Sequence, residues 1–299
     1  MSPDMINYAP LHAAPSPAHT ATVLEAARRG DFGEETARQI TGAGARSTGV
    51  GCLVGGFLAA IMLVALIGML AQGDSEGLLV GGLFLAGAVL LGVAVKLLGD
   101  LGERRSAGRL VRLVAFAHAN GLPIEPEAPA RQLPGSVFVP NPHARTMHQV
   151  RWTADGLSFE VATHTRQGSG QGTRLVRCLA VHLDVAPPRL AFNPSGPGAV
   201  RPAPILGTDV FENEKFALFA RTREHAAARA FMTDELVALL DDRNRPMSAE
   251  VVDGWFLAYF PSQDELDERS WRQAFAVAEA VVRAREAFRA RGQSQQSGK

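Results

Sequence analysis

The chain has 299 residues, a length that suits one or two domains. Its 30 basic residues balance its 30 acidic ones, so nothing in the net charge indicates a nucleic-acid partner. Hydrophobic residues make up 46% of the chain, which is within the globular range, but they are unevenly placed. The two cysteines, Cys52 and Cys178, form no disulfide framework or metal motif, and they favour a reducing compartment.

Two long uncharged runs stand in the first third of the chain, at residues 49–71 and 77–95. At about 1.5 Å per residue the first run covers roughly 34 Å, which exceeds a hydrocarbon core of ~30 Å. Since apolar runs of about 18 residues or more are rare in soluble folds, we predict two transmembrane helices rather than two buried ones. The first run starts too far along the chain, and is too long, to be a cleaved signal peptide.

The basic residues set the expected orientation. They flank the two runs, whereas the linker 72–76 carries only Asp74 and Glu76. Positive charge beside a span stays on the cytoplasmic side. The sequence therefore predicts a multi-pass protein of the cell membrane with both termini in the cytoplasm. We expect the basic residues to set topology rather than to bind lipid; they are Arg28, Arg29, Arg38 and Arg46 before the first run, and Lys96, Arg104, Arg105, Arg109 and Arg112 after the second.

A small-xxx-small motif, Gly51 and Gly55, lies in the first run. Such motifs let membrane helices approach closely, so these glycines are candidates for a homodimer contact. The alternative is that glycine is simply common in membrane helices.

Beyond residue 122 the apolar pattern changes to period two, which is typical of strands. Residues 149–154 and 157–165 predict a hairpin around Asp155-Gly156, with Trp152 opposite Phe159 and Val150 opposite Val161. A second hairpin turns at Asp253-Gly254. Its second strand, 255–260, is apolar on both faces, which predicts a central place in the sheet.

Helices complete the predicted domain. Thr233 is a good N-cap for a helix that ends at Leu240. A last helix runs from Ser262 to about Arg289 with one core-facing apolar stripe. The expected fold class is thus a membrane-anchored α+β protein: a two-helix transmembrane hairpin followed by a soluble antiparallel sheet packed with helices. The expected regions are a partly disordered cytoplasmic N-terminal arm (1–47, with 1–19 disordered), the hairpin (48–98), a juxtamembrane helix (99–121), the cytoplasmic α+β domain (122–290) and a disordered tail (291–299).

Candidate chemistry is sparse. Four histidines, His143, His148, His164 and His182, could form a metal or acid–base cluster, but no cysteine or paired acid stands at a ligand spacing. The segment Gly168–Gly172 could hold phosphate, yet it lacks the Lys-Ser/Thr of a P-loop and joins two strands. No catalytic residue, metal or cofactor is therefore assigned.

A group of acids also stands at the start of the last helix, where negative charge complements the helix dipole. We interpret these acids as helix-start residues rather than as an acid–base pair; they are Asp264, Glu265, Asp267 and Glu268.

Several blocks together resemble a group of uncharacterised actinobacterial membrane proteins of unknown function. The resemblance covers about residues 48–285 and implies the same layout, without carrying over any catalytic residue. The blocks are FAHANGL at 116–122, LPGSVF at 133–138, DGLSFEV at 155–161, FMTDELVALL at 231–240 and EVVDGWFLAYFP at 250–261.

We predict a membrane-anchored, non-enzymatic domain that binds the lipid bilayer and a protein partner of unknown identity at the inner membrane face. The alternative is an unrecognised membrane-associated enzyme that uses the four histidines and Gly168–Gly172. A transporter is disfavoured because neither uncharged run contains a charged residue or a histidine.

Overall fold

The structure is a computed structural model that divides into two compact units. Met1–Ala13 and Arg112–Lys299 form the first, which we call the sheet unit, and Ala14–Val111 form the second, which we call the helical unit. The residues that the structure describes are 3–42, 75–129, 131–138, 144–167, 173–194, 202, 208–210 and 216–297.

Three helices make up the described part of the helical unit. Helix α2, Pro17–Arg29, begins at Ser16, whose Oγ accepts the His19 N–H at 3.1 Å, and it ends at Gly30 with φ of 81°. Helix α3 follows at 34–42. Helix α4, Ser75–Ala119, starts here and continues into the sheet unit.

The predicted transmembrane hairpin is not supported. The first predicted span, 49–71, lies outside the described residues, and so do Gly51 and Gly55. The second, 77–95, is part of the 45-residue helix α4, which runs on through the predicted juxtamembrane helix. Within the described part of the chain, no helix combines the length and the apolar character needed to cross a bilayer.

The sheet unit confirms the α+β class, because its centre is an antiparallel sheet packed with helices. The described strands form one nine-stranded sheet in the order β1-β2-β3-β4-β9-β8-β5-β7-β6. Their bounds are β1 Ile124–Pro129, β2 Arg145–Ala154, β3 Leu157–Gln167, β4 Thr173–His182, β5 Leu190–Pro194, β6 Thr208–Asp209, β7 Phe216–Ala220, β8 Ser248–Val252 and β9 Trp255–Tyr259.

Both predicted hairpins are present. Trp152 faces Phe159 across the first, and the turn residue Asp155 has φ of 47°, as a two-residue hairpin turn requires. β9 lies between β4 and β8, which confirms its central place. One feature was not predicted: the register shifts between Met147 and Val150, where a β-bulge interrupts β2.

The helices of the sheet unit cover one face of the sheet. Helix α1 is Ala9–His12, α5 is His225–Phe231, α6 is Asp234–Leu240 and α7 is Glu268–Ser297. α7 buries the predicted stripe, which includes Trp271, Phe275, Ala278, Val281 and Val282. α7 also runs to Ser297, so the part of the tail up to that residue is helical rather than disordered.

The N-terminal segment corrects the expectation of disorder over 1–19. Within it, Tyr8 and Leu11 are buried, at 5% and 1% exposure. The Tyr8 ring stacks on Phe116 with centroids 6.0 Å apart. The Pro- and Ala-rich composition obscured these apolar anchors, whose burial compensates the entropy cost of ordering the segment.

Candidate functional site

The best-formed polar site of the sheet unit joins His148 of β2 to Glu265, which lies just before α7. His148 Nδ1 is 2.6 Å from Glu265 Oε2, and Thr163 Oγ1 donates to Glu265 Oε1 at 2.6 Å. The bulge in β2 places the imidazole there, because His148 adopts a left-handed φ of 51° that disfavours most side chains. Residues held in such conformations are frequent at functional sites.

Glu265 is held as a carboxylate. Its burial raises the pKa of this carboxyl, but the charge and hydrogen bond of His148 and the Thr163 hydroxyl outweigh burial, so the pKa lies below its usual value. An ionised acceptor requires the His148 Nδ1 to carry the hydrogen of the shared bond. His148 Nε2 is enclosed, and it has no hydrogen-bond partner within the described residues.

Arg177 of β4 fixes the segment that carries Glu265. It is 1% exposed, and its guanidinium carbon lies 4.5 Å from the Phe260 ring centroid and 4.8 Å from that of Trp271. It donates to the Asp264 carbonyl at 3.0 Å, while Trp271 Nε1 donates to the Glu265 carbonyl at 2.7 Å. The backbone on both sides of the carboxylate is therefore anchored.

A carboxylate that orients an imidazole through Nδ1 is the arrangement of a general base, with Nε2 as the working nitrogen. The side chains of His148 and Glu265 are only 11% and 17% exposed. The pair is therefore preorganised but has little contact with solvent.

A second polar cluster lies on the opposite face of the sheet, beneath residues 131–138. Glu250 of β8 is fully buried, and its two carboxylate oxygens accept the Ser136 N–H at 2.9 and 3.1 Å. Tyr259 of β9 donates its hydroxyl to the same carboxylate. A Cβ on Gly135 would lie 2.5 Å from the Tyr259 hydroxyl, so any larger residue here would force the surrounding side chains to shift. We call this arrangement the Glu250 clasp.

Three further reactive-type side chains are enclosed on this face. Burial raises the pKa of the Glu160 carboxyl and of the Cys178 thiol. Burial lowers the pKa of His164 to about 4, so this imidazole is neutral at pH 7. Its Nδ1 is 3.2 Å from Thr146 Oγ1. A neutral, buried thiol is a poor nucleophile, and we therefore interpret Cys178 as a packing residue.

The four candidate histidines do not form one cluster. His143 and the segment Gly168–Gly172 lie outside the described residues. His164 is buried on the face opposite to His148, and His182 is exposed with its ring 5.2 Å from that of Trp255. The described residues contain no group of three or more His, Cys, Asp and Glu side chains that could hold a metal ion.

Two features escaped the sequence interpretation. Glu265, which was interpreted as a helix-start acid, is the partner of His148 at a separation of 117 residues. Glu250 gave a usable signal, because it is the one acid in the otherwise apolar or small strand Ser248–Val252. A charge on such a strand must meet donors inside the fold.

Comparisons with known proteins give little further information. No family model and no curated protein matches the chain. One similar solved structure is the crystal structure of the mycobacterial trehalose monomycolate transport factor A, at 12% identity and a TM-score of 0.43. The match covers 59% of this chain and 92% of that chain, and at this TM-score it supports no conclusion about function.

Proposed function

We propose that this chain is a membrane-anchored, non-enzymatic module with both termini in the cytoplasm, and that its sheet unit binds a protein partner at the inner membrane face. The observation that carries the proposal is a stretch of α4, from Val89 to Leu101, that leaves its apolar side chains uncovered. Leu90 is 69% exposed and Leu98 is 67% exposed.

The uncovered side chains are not confined to one stripe. At 100° per residue they spread over roughly 200° of the helix circumference. A helix that lies on a water-soluble core is apolar on one side only, whereas a helix apolar over most of its surface is typical of a core or a membrane. The exposed apolar residues are Val89, Leu90, Leu91, Val93, Leu97, Leu98 and Leu101.

Lipid satisfies this surface better than a single protein partner would. A protein face covers one side of a helix, while acyl chains surround it. Burial of each large aliphatic side chain favours the inserted state by about 1.5–3 kcal/mol. The uncharged run 77–95 overlaps this stretch and supports the same proposal.

The non-enzymatic part of the proposal is supported by the burial of reactive groups in the sheet unit. Cys178, Tyr259 and Glu250 are each at most 1% exposed. The Glu250 carboxylate is bound by donors of the fold itself, so it stabilises residues 131–138 instead of facing a substrate.

The relationship to uncharacterised actinobacterial membrane proteins stays a prediction, supported by the five sequence blocks. A homodimer through Gly51 and Gly55 stays one as well. Equilibrium sedimentation of the detergent-solubilised chain, compared with a Gly51→Leu/Gly55→Leu variant, tests the homodimer.

Thiol labelling on intact cells tests the anchoring and the orientation. In a Cys52→Ala background, a cysteine at Ser75 should react with an impermeant reagent, and one at Ser297 should react only after lysis. Cys178 should not react with the reagent, because it is 1% exposed. Labelling of Ser297→Cys on intact cells would refute the orientation, and protection of both positions on intact cells would refute the exposed hairpin tip.

One observation favours a second candidate function, an enzyme built on His148. Its Nε2 has no hydrogen-bond partner among described residues, and Glu265 orients the ring. The test is a panel of activated carboxylic and phosphate esters, assayed with the purified chain and with His148→Gln. Our proposal expects equal background rates, whereas turnover that disappears only in His148→Gln would favour the enzyme.

A further inference from the structure

The end of the exposed apolar stretch of α4 is marked by two neighbouring basic residues. Arg104 and Arg105 are exposed, and they follow Leu101 by three and four residues. At about 1.5 Å per residue they lie roughly 4.5–6 Å beyond it along the helix axis. The headgroup layer of one leaflet is about 5–8 Å thick, so both arginines would stand at its level if Leu101 marks the hydrocarbon boundary.

These two arginines differ from other arginines of the helical unit. Arg28 binds Glu103 at 2.7 Å, and Arg38 binds Glu34 at 2.7 Å and Glu35 at 2.6 Å. Arg29 binds Asp31 at 2.8 Å. Each of those guanidinium groups already has a carboxylate partner.

Arg104 and Arg105 have no ion pair or hydrogen bond within the described residues. Asp100, one turn before Arg104, is exposed but makes no ion pair with it. Glu103, the adjacent acid, is already neutralised by Arg28. Arg104 and Arg105 therefore carry two positive charges at this level of α4 that no carboxylate of the described residues neutralises.

We infer that Arg104 and Arg105 form a docking surface for the headgroups of anionic phospholipids, which fixes the depth at which α4 sits in the bilayer. The inference rests on the proposed membrane anchoring. It revises the sequence interpretation, which gave these residues a role in topology alone, because the structure leaves them unpaired beside an uncovered apolar surface. Guanidinium groups bind phosphate through paired N–H donors, which suits a phosphodiester headgroup.

The test uses the full chain reconstituted in bilayers of phosphatidylcholine that contain either spin-labelled phosphatidylglycerol or spin-labelled phosphatidylcholine. The fraction of motionally restricted lipid gives the selectivity for the anionic headgroup. Because a basic residue near the surface contributes roughly fivefold, wild type should prefer phosphatidylglycerol and Arg104→Gln/Arg105→Gln should lose most of that preference. The matched control, Arg29→Gln/Arg38→Gln, should retain it.

The outcomes separate the two proposals. If neither lipid is restricted by the wild-type chain, the membrane anchoring itself fails. If both lipids are restricted equally, or if the Arg104→Gln/Arg105→Gln variant keeps the wild-type selectivity, the anchoring stands and the docking surface is refuted. Loss of selectivity with inorganic phosphate, beyond that with sodium chloride of equal ionic strength, would assign the arginines to free phosphate and also refute the lipid surface.

Discussion

Two long helices of this molecule, α4 and α7, differ in how far their apolar side chains are buried. α7 places Trp271 and Phe275 against the sheet at 1% and 0% exposure. α4 leaves Leu90 and Leu98 more than 60% exposed. Neither helix is interrupted by proline, and the two differ in what surrounds their apolar side chains.

The comparison shows that a segment can form a regular helix whether or not the rest of the fold covers its apolar side chains. Between Ser270 and Arg285, α7 buries most of its side chains within the sheet unit, and only a few positions such as Arg272 and Arg283 are exposed. The stretch of α4 from Val89 to Leu101 instead leaves seven large apolar side chains exposed over roughly 200° of the helix, with Lys96 and Asp100 as its charged residues. We therefore expect substitutions in the sheet unit to change folding stability and those in the α4 stretch to change membrane binding.

The largest expected effect is a direct contrast between the two helices. Phe275→Ala should lower the free energy of unfolding of the sheet unit by about 3–5 kcal/mol, because it leaves a cavity against Trp152 and Trp271. Leu90→Ala should change it by less than about 0.5 kcal/mol. Urea unfolding in mild detergent, followed by tryptophan fluorescence, measures both. Similar losses would show that Leu90 is packed in the folded chain.

A pH series sharpens the contrast, because the sheet unit buries a histidine, His164, whereas the α4 stretch from Val89 to Leu101 contains no histidine. Burial lowers the pKa of His164 from 6.5 to about 4, so the unfolded state binds the proton more readily. Stability should be complete above pH 6.5 and should fall as the pH drops toward 4, by about 3 kcal/mol. His164→Gln should flatten this part of the pH profile, and an unchanged slope would contradict the assignment.

The next largest effect on stability is expected from a comparison of alanine substitutions at two glycines. Gly135→Ala should cost about 1–3 kcal/mol, since its Cβ would meet Tyr259 and Glu250 at contact distances below 3 Å. Gly87→Ala, on α4, has no neighbour within 4 Å and should be neutral or slightly stabilising, because alanine is the better helix former. Thermal unfolding of the two variants side by side measures the difference. Equal melting temperatures would contradict the close packing of the Glu250 clasp.

The smallest expected effect concerns His148. His148→Gln removes the partner of an enclosed carboxylate and should cost about 1–2 kcal/mol. The matched control is Arg283→Gln, which breaks an exposed ion pair with Glu235 and should cost under about 1 kcal/mol. Chemical denaturation at pH 7 compares them. A smaller loss for His148→Gln than for Arg283→Gln would mean that the His148–Glu265 bond adds no stability.

The local structure was largely predictable from the sequence. The hairpin around Asp155-Gly156 and the central place of β9 follow from period-two patterns and turn residues that act over a few positions. The Thr233 cap is equally local: its hydroxyl accepts the Leu236 N–H at 3.3 Å. Such features are encoded where they occur in the chain.

The polar sites were not predictable in the same way. Glu265 meets His148, and Glu250 meets Ser136, across more than 100 residues each. The first contact also depends on a bulge that moves the imidazole away from its regular strand position. No period or short motif marks such pairs, because only the closed fold brings the two segments together.

The central claim is that lipid surrounds the exposed stretch of α4. A nitroxide at Leu91→Cys, in a Cys52→Ala background in liposomes, tests it most directly when its collisions with oxygen and with a water-soluble nickel chelate are compared. We expect frequent oxygen collisions and little nickel access at this position, and ready nickel access for a label at Arg104→Cys. Free nickel access at Leu91→Cys would place the stretch in water and would contradict the membrane anchoring. A strongly immobilised label shielded from both reagents would place it against protein and would contradict it equally.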